Sequence, residues 1–435
     1  MEVEFLGGAR EVGRSAILVD ESLLLDYGLD PATPPQYPVG DVDPDAVVVS
    51  HGHLDHAGAV PALLAGDERP PVHWTPPTQR LATMLAEDTL KLHGNTPQCP
   101  FTGTHVRRLT EVSETHGYRE PFEAAGYEVT LFAAGHIPGS AHVLVDDGDT
   151  RLLYTADFHA GTAGDSDDRT GGAGGERDVP PGEQRLVAAT TARPPADVVV
   201  TESTYANVTH SARGALEASF VESVKTTVWE GGTVVVPVFA IGRTQELMLV
   251  CEAAGIDCYL DGMGQEVTRM LRDYPGYVRD ATALKRAASN ARFVTGRDGQ
   301  RRRIAEKNTV ILTTAGMLSG GPAVTYVPAI RGHPTNKVAL TGYQVEGTPG
   351  RELLETGRAA FDGRVLPVSA QVEQYDFSAH ADREGLRSFL SAYGDARVLV
   401  NHGDDCAGFA RRLRADGYDA SAPKLGECLR LGRDT

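Results

Sequence analysis

Short apolar runs separated by Gly, Asp and Pro make up the first part of the chain. "VEFLG", "SAILVD", "LLLDYG" and "DAVVVS" predict four strands bounded by turn residues. "TQRLATMLAEDTLKLHG" spaces its apolar side chains three and four residues apart and closes on Gly94, which predicts a helix. "YEVTLFAAG", "AHVLVDD" and "RLLYTAD" return to strand, and the apolar run in "ADVVVTES" suits a strand buried on both faces. From about Tyr205 the pattern changes. "GALEASFVESVKTTVWEGG" and "IGRTQELMLVCEAAG" read as helices, interleaved with strands at "TVVVPVF", "CYLDG", "NTVILTTAG" and "KVALTGY". Such alternation predicts a parallel sheet with helices on its faces. "ARVLVNHGDD" and "CAGFARRLRADG" close the chain with strand, loop and helix, and no internal repeat is visible. Between Ala160 and Ala196, Gly, Asp and Pro dominate. That composition predicts an exposed, mobile loop at about 160–195, with a lid as its functional alternative.

A length of 435 residues accommodates two domains, each with its own core, and a hydrophobic content of 41% is ordinary for a globular chain. No apolar run approaches the roughly 20 residues of a bilayer span. The opening "MEVEFLGGAR" is charged from the start and offers no signal-peptide core. The expectation is a soluble cytoplasmic protein with no membrane partner. Five widely spaced cysteines without a CxxC pair predict reduced, buried thiols, so any metal is held by other donors. A net charge of -18, with six lysines among 41 basic residues, resembles proteins of a salt-filled, halophilic cytoplasm. At about 1 M salt the screening length is roughly 3 Å, so global acidity does not exclude a nucleic-acid substrate. It requires instead that binding be local and arginine-driven.

"VVVSHGHLDHAGAV" places His51, His53, Asp55 and His56 within six positions, directly after an apolar run. A loop leaving a strand can aim several imidazoles and carboxylates at one point, where a helix would splay them. These donors suit zinc ahead of iron or manganese. His136 in "AAGHIPGSAH", Asp157 in "LLYTADFH" and His402 in "VLVNHG" also follow predicted strands. Each alone reads as well as a structural residue. Together with the first four they form a coherent ligand set.

"LLLDYG", "SHGHLDHAG", "AGHIPGSAH" and "YTADF" resemble, in order, the motifs of the metallo-β-lactamase superfamily. "TESTYAN", "PVFAIGRTQELML", "AGMLSGGP", "GYQVEGTPGREL", "FSAHAD" and "VNHGD" resemble its nucleic-acid-processing β-CASP branch. Within that branch the chain is similar to archaeal homologues of the cleavage and polyadenylation specificity factor endonuclease, in a short form without KH domains. The resemblance covers nearly the whole chain. It implies an α/β fold: a four-layer αββα metallo-β-lactamase domain at 1–205 and 377–435, split by an inserted parallel-sheet β-CASP domain at 206–376. It also implies two Zn2+ per chain, one on His51, His53 and His136 and one on Asp55, His56 and His402, bridged by Asp157. Asp26 matches the motif that supports the ligands from behind. Glu202 in "TESTY" and His380 in "FSAHAD" match the two branch-specific motifs, the acid orienting a histidine that faces the scissile phosphate. His380, Glu202 and Asp55 are the expected catalytic residues.

The expected chemistry is zinc-dependent endonucleolytic cleavage of single-stranded RNA. A hydroxide held between two zinc ions attacks phosphorus in line, and His380 protonates the departing 3′ oxygen. The products are a 3′-hydroxyl and a 5′-phosphate, in mRNA 3′-end processing or RNA turnover. A 5′→3′ exoribonuclease of the RNase J type is the alternative within the branch. A small-molecule hydrolase would not need His380, and a non-catalytic scaffold would have eroded ligands. Three departures from the family pattern stand out, one of them a loop after Asp157 longer than the family's. Ala156 precedes Asp157 where Gly is usual, and Asp404 follows "HG" where Glu is commoner. Arg243, Ser319, Gly320, Gly321 and Ser378 are candidate substrate contacts, with loop geometry and helix packing as the competing explanation. "RFVTGRDGQRRRIAEK" gathers Arg292, Arg297, Arg301, Arg302, Arg303 and Lys307, either to guide RNA or as a solvated charge run. RNA is expected to enter between the two domains. A homodimer and an RNA-processing complex are both compatible with the sequence.

Overall fold

The computed structural model describes residues 1–32, 34–67, 69–94, 96, 99–160 and 183–431. Most of the predicted 160–195 loop, and with it the lid alternative, lies outside the described residues. The described end of that segment is packed: Leu186 and Thr190 are both buried. Among the described residues no helix is long and apolar enough to cross a membrane.

The chain divides into two compact units. The first comprises Met1–Gly172, Ala188–Thr209 and Ala379–Thr435. It holds two seven-stranded sheets. One runs in the order Cys428–Arg430, Glu2–Gly7, Ala16–Val19, Leu23–Leu25, Ala46–Val48, Val72–Trp74 and Ser113–Thr115. The other runs Asp419–Ser421, Arg397–Val400, Val198–Thr201, Arg151–Tyr154, Ala141–Asp146, Tyr127–Ala133 and Phe122–Ala124. Phe5, Ile17, Leu25 and Val48 of the first sheet pack against Val129, Val143, Leu152 and Val200 of the second. Each such fully buried aliphatic side chain stabilises by about 1.5–3 kcal/mol. The outer face of the first sheet buries Leu24, Val47 and Trp74 with Ala82 of the helix Pro76–His93. That helix starts two residues before the predicted Thr78: Thr75 caps the N-terminus and Pro occupies the first turn. The outer face of the second sheet packs Leu153, Val199 and Val398 against Leu386 and Phe389 of the helix Arg383–Leu390 and Phe409 of the helix Cys406–Ala415. The layers are therefore helix, sheet, sheet, helix, as the motif order implies.

The second unit comprises Ala173–Val187 and His210–Ser378. Its six-stranded sheet, ordered Arg292–Phe293, Cys258–Asp261, Val310–Thr313, Val234–Pro237, Lys337–Thr341 and Gln371–Tyr375, is parallel throughout. Parallel strands need crossover helices and are covered on both faces, which accounts for the unbroken apolar runs in "VVVP" and "VILT". A two-stranded hairpin, Arg358–Phe361 with Arg364–Pro367, follows the helix Pro349–Thr356.

Candidate metal centre

In the second sheet the strands ending at Ala133, Tyr154, Thr201 and Val400 all run in the same direction. Their carboxyl ends therefore lead to one edge, and from it come His136, Asp157, Glu202 and His402. The first sheet contributes from the carboxyl ends of the parallel strands Leu23–Leu25 and Ala46–Val48, which lead to Asp26 and to His51. Asp55 and His56 lie on the one-turn helix Leu54–Ala57, with His53 at its N-cap. Gly28 holds that turn close. A Cβ there would lie 1.8 Å from the carbonyl oxygen of Asp55, which accepts from Ser15 N–H at 2.7 Å.

Two groups of four possible donors result: His51, His53, His136 and Asp157, and Asp55, His56, Asp157 and His402. Asp157 belongs to both. Its Oδ2 lies 3.7 Å from His51 Nε2, 3.4 Å from His56 Nε2 and 3.9 Å from His136 Nε2, and its Oδ1 lies 3.6 Å from His402 Nε2. Asp55 Oδ2 stands 3.7 Å from His402 Nε2. Most of these separations are too long for hydrogen bonds. They are short enough for one ion with bonds of about 2.0–2.2 Å to touch both atoms.

The outer nitrogens are already committed. His56 Nδ1 donates to Asp26 Oδ2 at 2.7 Å, His402 Nδ1 contacts Ser15 Oγ at 2.8 Å, and His136 Nδ1 donates to the Ala379 carbonyl at 2.9 Å. His51 Nδ1 reaches Ser50 Oγ at 3.1 Å, and that hydroxyl donates on to Asp26 at 2.7 Å. Asp26 also accepts Ser50 N–H at 2.7 Å and Tyr154 O–H at 2.8 Å. These bonds turn Nε2 of His51, His56 and His402 toward the shared aspartate. There they and Asp157 Oδ1 are buried without a hydrogen-bond partner. Four orphaned polar atoms facing one point would be costly in an empty protein and are what a cation shell requires. Burial also keeps the imidazoles neutral, as ligation demands: it pushes His53 and His136 down to about 3 and His51 well below its usual range. His56 moves the other way, because Asp157, Asp26 and Asp55 together outweigh the burial that would lower it. The residues fit a two-cation site with nitrogen and oxygen donors.

Beside this set stands a His–Glu pair. His380 Nδ1 lies 3.0 and 3.2 Å from the two carboxylate oxygens of Glu202, whose Oε1 also accepts the Phe158 N–H at 2.8 Å. Glu202 is buried and His380 is partly open, its ring 4.5 Å from that of His136. Burial would discharge the His380 imidazole, but Glu202 and then Asp157 prevail and raise it to about 9. Asp157, Glu202 and His380 form a further close group of possible donors. Three residues of the region carry left-handed backbone: Asp26 (φ 60), Ala156 (φ 46) and His402 (φ 43). The Gly-to-Ala departure therefore falls where a Cβ costs energy.

The supporting residues Ser15, Ser50 and Tyr154 gave no signal of their own in the sequence. Neither did His73, Glu114 and His116, a separate group at the sheet edge whose donor atoms also come together.

The candidate substrate contacts lie in the second unit. Arg243 is buried and its Nη1 donates to Glu246, in a network with Arg213 and Glu217. Ser319, Gly320 and Gly321 follow the strand Val310–Thr313, at the carboxyl edge where parallel sheets usually bind ligands. Gly321 is required there by packing as well: at φ 63, a Cβ would lie 2.5 Å from the Thr314 carbonyl oxygen. The Ser378 carbonyl accepts from Arg185 at 3.3 Å. Of the basic cluster, Arg301 forms a paired bond with Asp261 at 2.8 and 3.1 Å, and Arg292 pairs with Asp257 at 2.9 Å.

Two sheets between helices, with a histidine and aspartate centre at their strand ends, define a metallo-hydrolase of the β-lactamase class. Three family descriptions match the chain: metallo-beta-lactamase superfamily over residues 9–203, Beta-Casp domain over 244–353, and Zn-dependent metallo-hydrolase RNA specificity domain over 365–423. A probable RNase MJ4 from Methanocaldococcus jannaschii is 33% identical, over 99% of this chain and 100% of that protein. RNase aCSPSF2 from Saccharolobus solfataricus is 34% identical over 99% and 85% of the two chains. Transcription termination factor FttA from M. jannaschii is 31% identical over 95% and 69%. A solved structure from Enterococcus faecalis V583, a protein of unknown function, superposes with a TM-score of 0.58 at 12% identity, covering 98% and 99%, and bears on the fold alone. The chain belongs to the β-CASP branch of the metallo-β-lactamase superfamily, in its archaeal cleavage and polyadenylation specificity factor group.

Proposed function

We propose that this protein is a two-zinc endoribonuclease that hydrolyses phosphodiesters in single-stranded RNA during 3′-end processing or RNA turnover. The observation that carries this reading is the shared Asp157 between two donor groups, with the His380–Glu202 pair alongside. The family membership and the names of the relatives, RNases and a termination factor, support RNA as substrate. His51, His53, His136 and Asp157 would hold one cation, and Asp55, His56, His402 and Asp157 the other. When bound, the cations lower the pKa of water and polarise a phosphoryl oxygen.

This chain's own residues then manage the proton. Glu202 accepts from His380 Nδ1–H and so fixes the tautomer, leaving Nε2 to carry the proton that is transferred. As water oxygen bonds to phosphorus, the bond from phosphorus to the 3′ oxygen breaks and that oxygen takes the proton from His380 Nε2. The products are a 3′-hydroxyl and a 5′-phosphate. The Glu202 carboxylate beside it favours the protonated form which that role requires.

The test uses an internally labelled RNA with its 5′ end either free or blocked. Internal fragments from the blocked RNA, lost in His380→Ala, are the expected result. Mononucleotide release from the free 5′ end alone would replace the endonuclease with the exonuclease reading.

A further inference from the structure

Trp229 closes the helix Arg213–Trp229 with 86% of its surface exposed, the most exposed large hydrophobic side chain among the described residues. A single exposed apolar residue is ordinary. This one, however, borders a cavity of about 480 Å³ that is also lined by Lys225, Tyr259, Arg292 and Lys307. Lys307 Nζ donates to the Tyr259 hydroxyl at 3.1 Å and lies 5.5 Å from its ring centre, with the Arg292 guanidinium 5.7 Å from the same ring. One carboxylate, Asp257, joins the lining. Three cations against one anion leave a local charge of +2 in a chain of net -18. Two of the six lysines in the sequence fall here. The wall is built where the strands Cys258–Asp261, Arg292–Phe293 and Val310–Thr313 begin. It thus lies at the amino edge of the sheet, opposite the edge that carries Ser319–Gly321.

We propose that this cavity is an accessory site for single-stranded nucleic acid, one base stacking on Trp229 while Lys225, Arg292 and Lys307 hold the backbone phosphates. Every base offers a π-face, so an exposed indole beside cations captures a strand without reading its sequence. Contact-range charges of this kind still act when salt has screened the acidic remainder of the chain. A protein-docking face would call for a broader apolar surface than one indole. The proposal rests on the ribonuclease reading and places strand binding on the second unit.

Tryptophan emission provides the test. Trp74 is fully buried, so solvent-exposed emission comes from Trp229. The protein is mixed rapidly with a twelve-nucleotide oligouridylate, emission is read before turnover, and cleavage of the same RNA is followed afterwards. Quenching is expected in the unchanged protein; read for the variants by the fluorescence anisotropy of the same RNA carrying a dye, Trp229→Ala weakens binding about 5- to 150-fold and Trp229→Phe keeps most of the affinity. Lys225→Ala with Lys307→Ala should weaken binding and reduce the salt slope by about 1.4, for two phosphate contacts on a single strand. Cleavage with unchanged Trp229 emission would overturn the accessory site and leave the ribonuclease reading intact. Quenching without cleavage would keep the site and remove that reading. Absence of both would overturn both; self-association that depends on Trp229 and is insensitive to RNA would overturn the site alone.

Discussion

Asp26 is the residue on which the metal centre turns, because one carboxylate organises His56, Ser50 and, through Ser50, His51. Asp26→Ala is expected to leave the fold standing while metal affinity drops about 10- to 100-fold, measured by competition with a chelator. Unchanged affinity would remove Asp26 from that role. The His380 pair makes a pH prediction. Catalysis by the protonated imidazole is lost as pH rises through the pKa of His380, which the Glu202 charge holds up. Glu202→Gln removes the first of the charges that hold the proton, so the alkaline limb of the rate profile should move to lower pH. A limb that stays in place would exclude His380 as the acid. Ala156→Gly should stabilise by about 1 kcal/mol or less, since φ 46 favours Gly while Gly also gains freedom when unfolded. A lower urea midpoint would contradict that. His51, His53, Asp55 and His56 could be read from their spacing, His136, Asp157 and His402 from their places after predicted strands, and Glu202 and His380 only from the resemblance of "TESTY" and "FSAHAD" to family motifs. Ser15, Ser50 and Tyr154 could not, since each acts only through a neighbour that folding brings to it.

Among the elements, long periodic segments were legible and dense ones were less so. The helix Pro76–His93 showed its apolar spacing and its closing glycine, whereas its start, capped by Thr75, lies two residues before the predicted one. The helix Arg243–Ala253 buries nine of its eleven residues, polar ones included, so its periodicity says little about which face meets the core. Arg243 illustrates the consequence. Its motif suggested a phosphate contact, whereas folding places Glu246 beside it, with Arg213 on the other side. Burial alone would raise the Glu246 carboxyl, but Arg213, Arg243 and Arg185 outweigh it and hold the group at about 2. A carboxyl below its usual 4.5 in the folded state stabilises fully above that value, and the contribution is lost as pH falls toward 2. Glu246→Gln should therefore cost about 3–5 kcal/mol at pH 7 and flatten the acid side of the stability curve. Equal steepness in both proteins would show that the network titrates elsewhere.

At the scale of the whole molecule, the first unit is assembled from segments far apart in sequence, with Ala173–Val187 and His210–Ser378 forming the other unit. Near Tyr205 the sequence pattern changes to alternating helix and strand. The basic residues near Arg292–Lys307 were visible as a run. Their division into Arg301 and Arg292, each paired with an aspartate, and Lys307 beside Tyr259 was not, since Asp257 and Asp261 meet them only in the folded sheet. The central claim is that this centre holds two cations across Asp157, and elemental analysis of the protein that cleaves RNA tests it most directly. Two equivalents of zinc per chain, both lost in Asp157→Ala, are predicted. One equivalent or none in fully active protein would contradict the two-metal account.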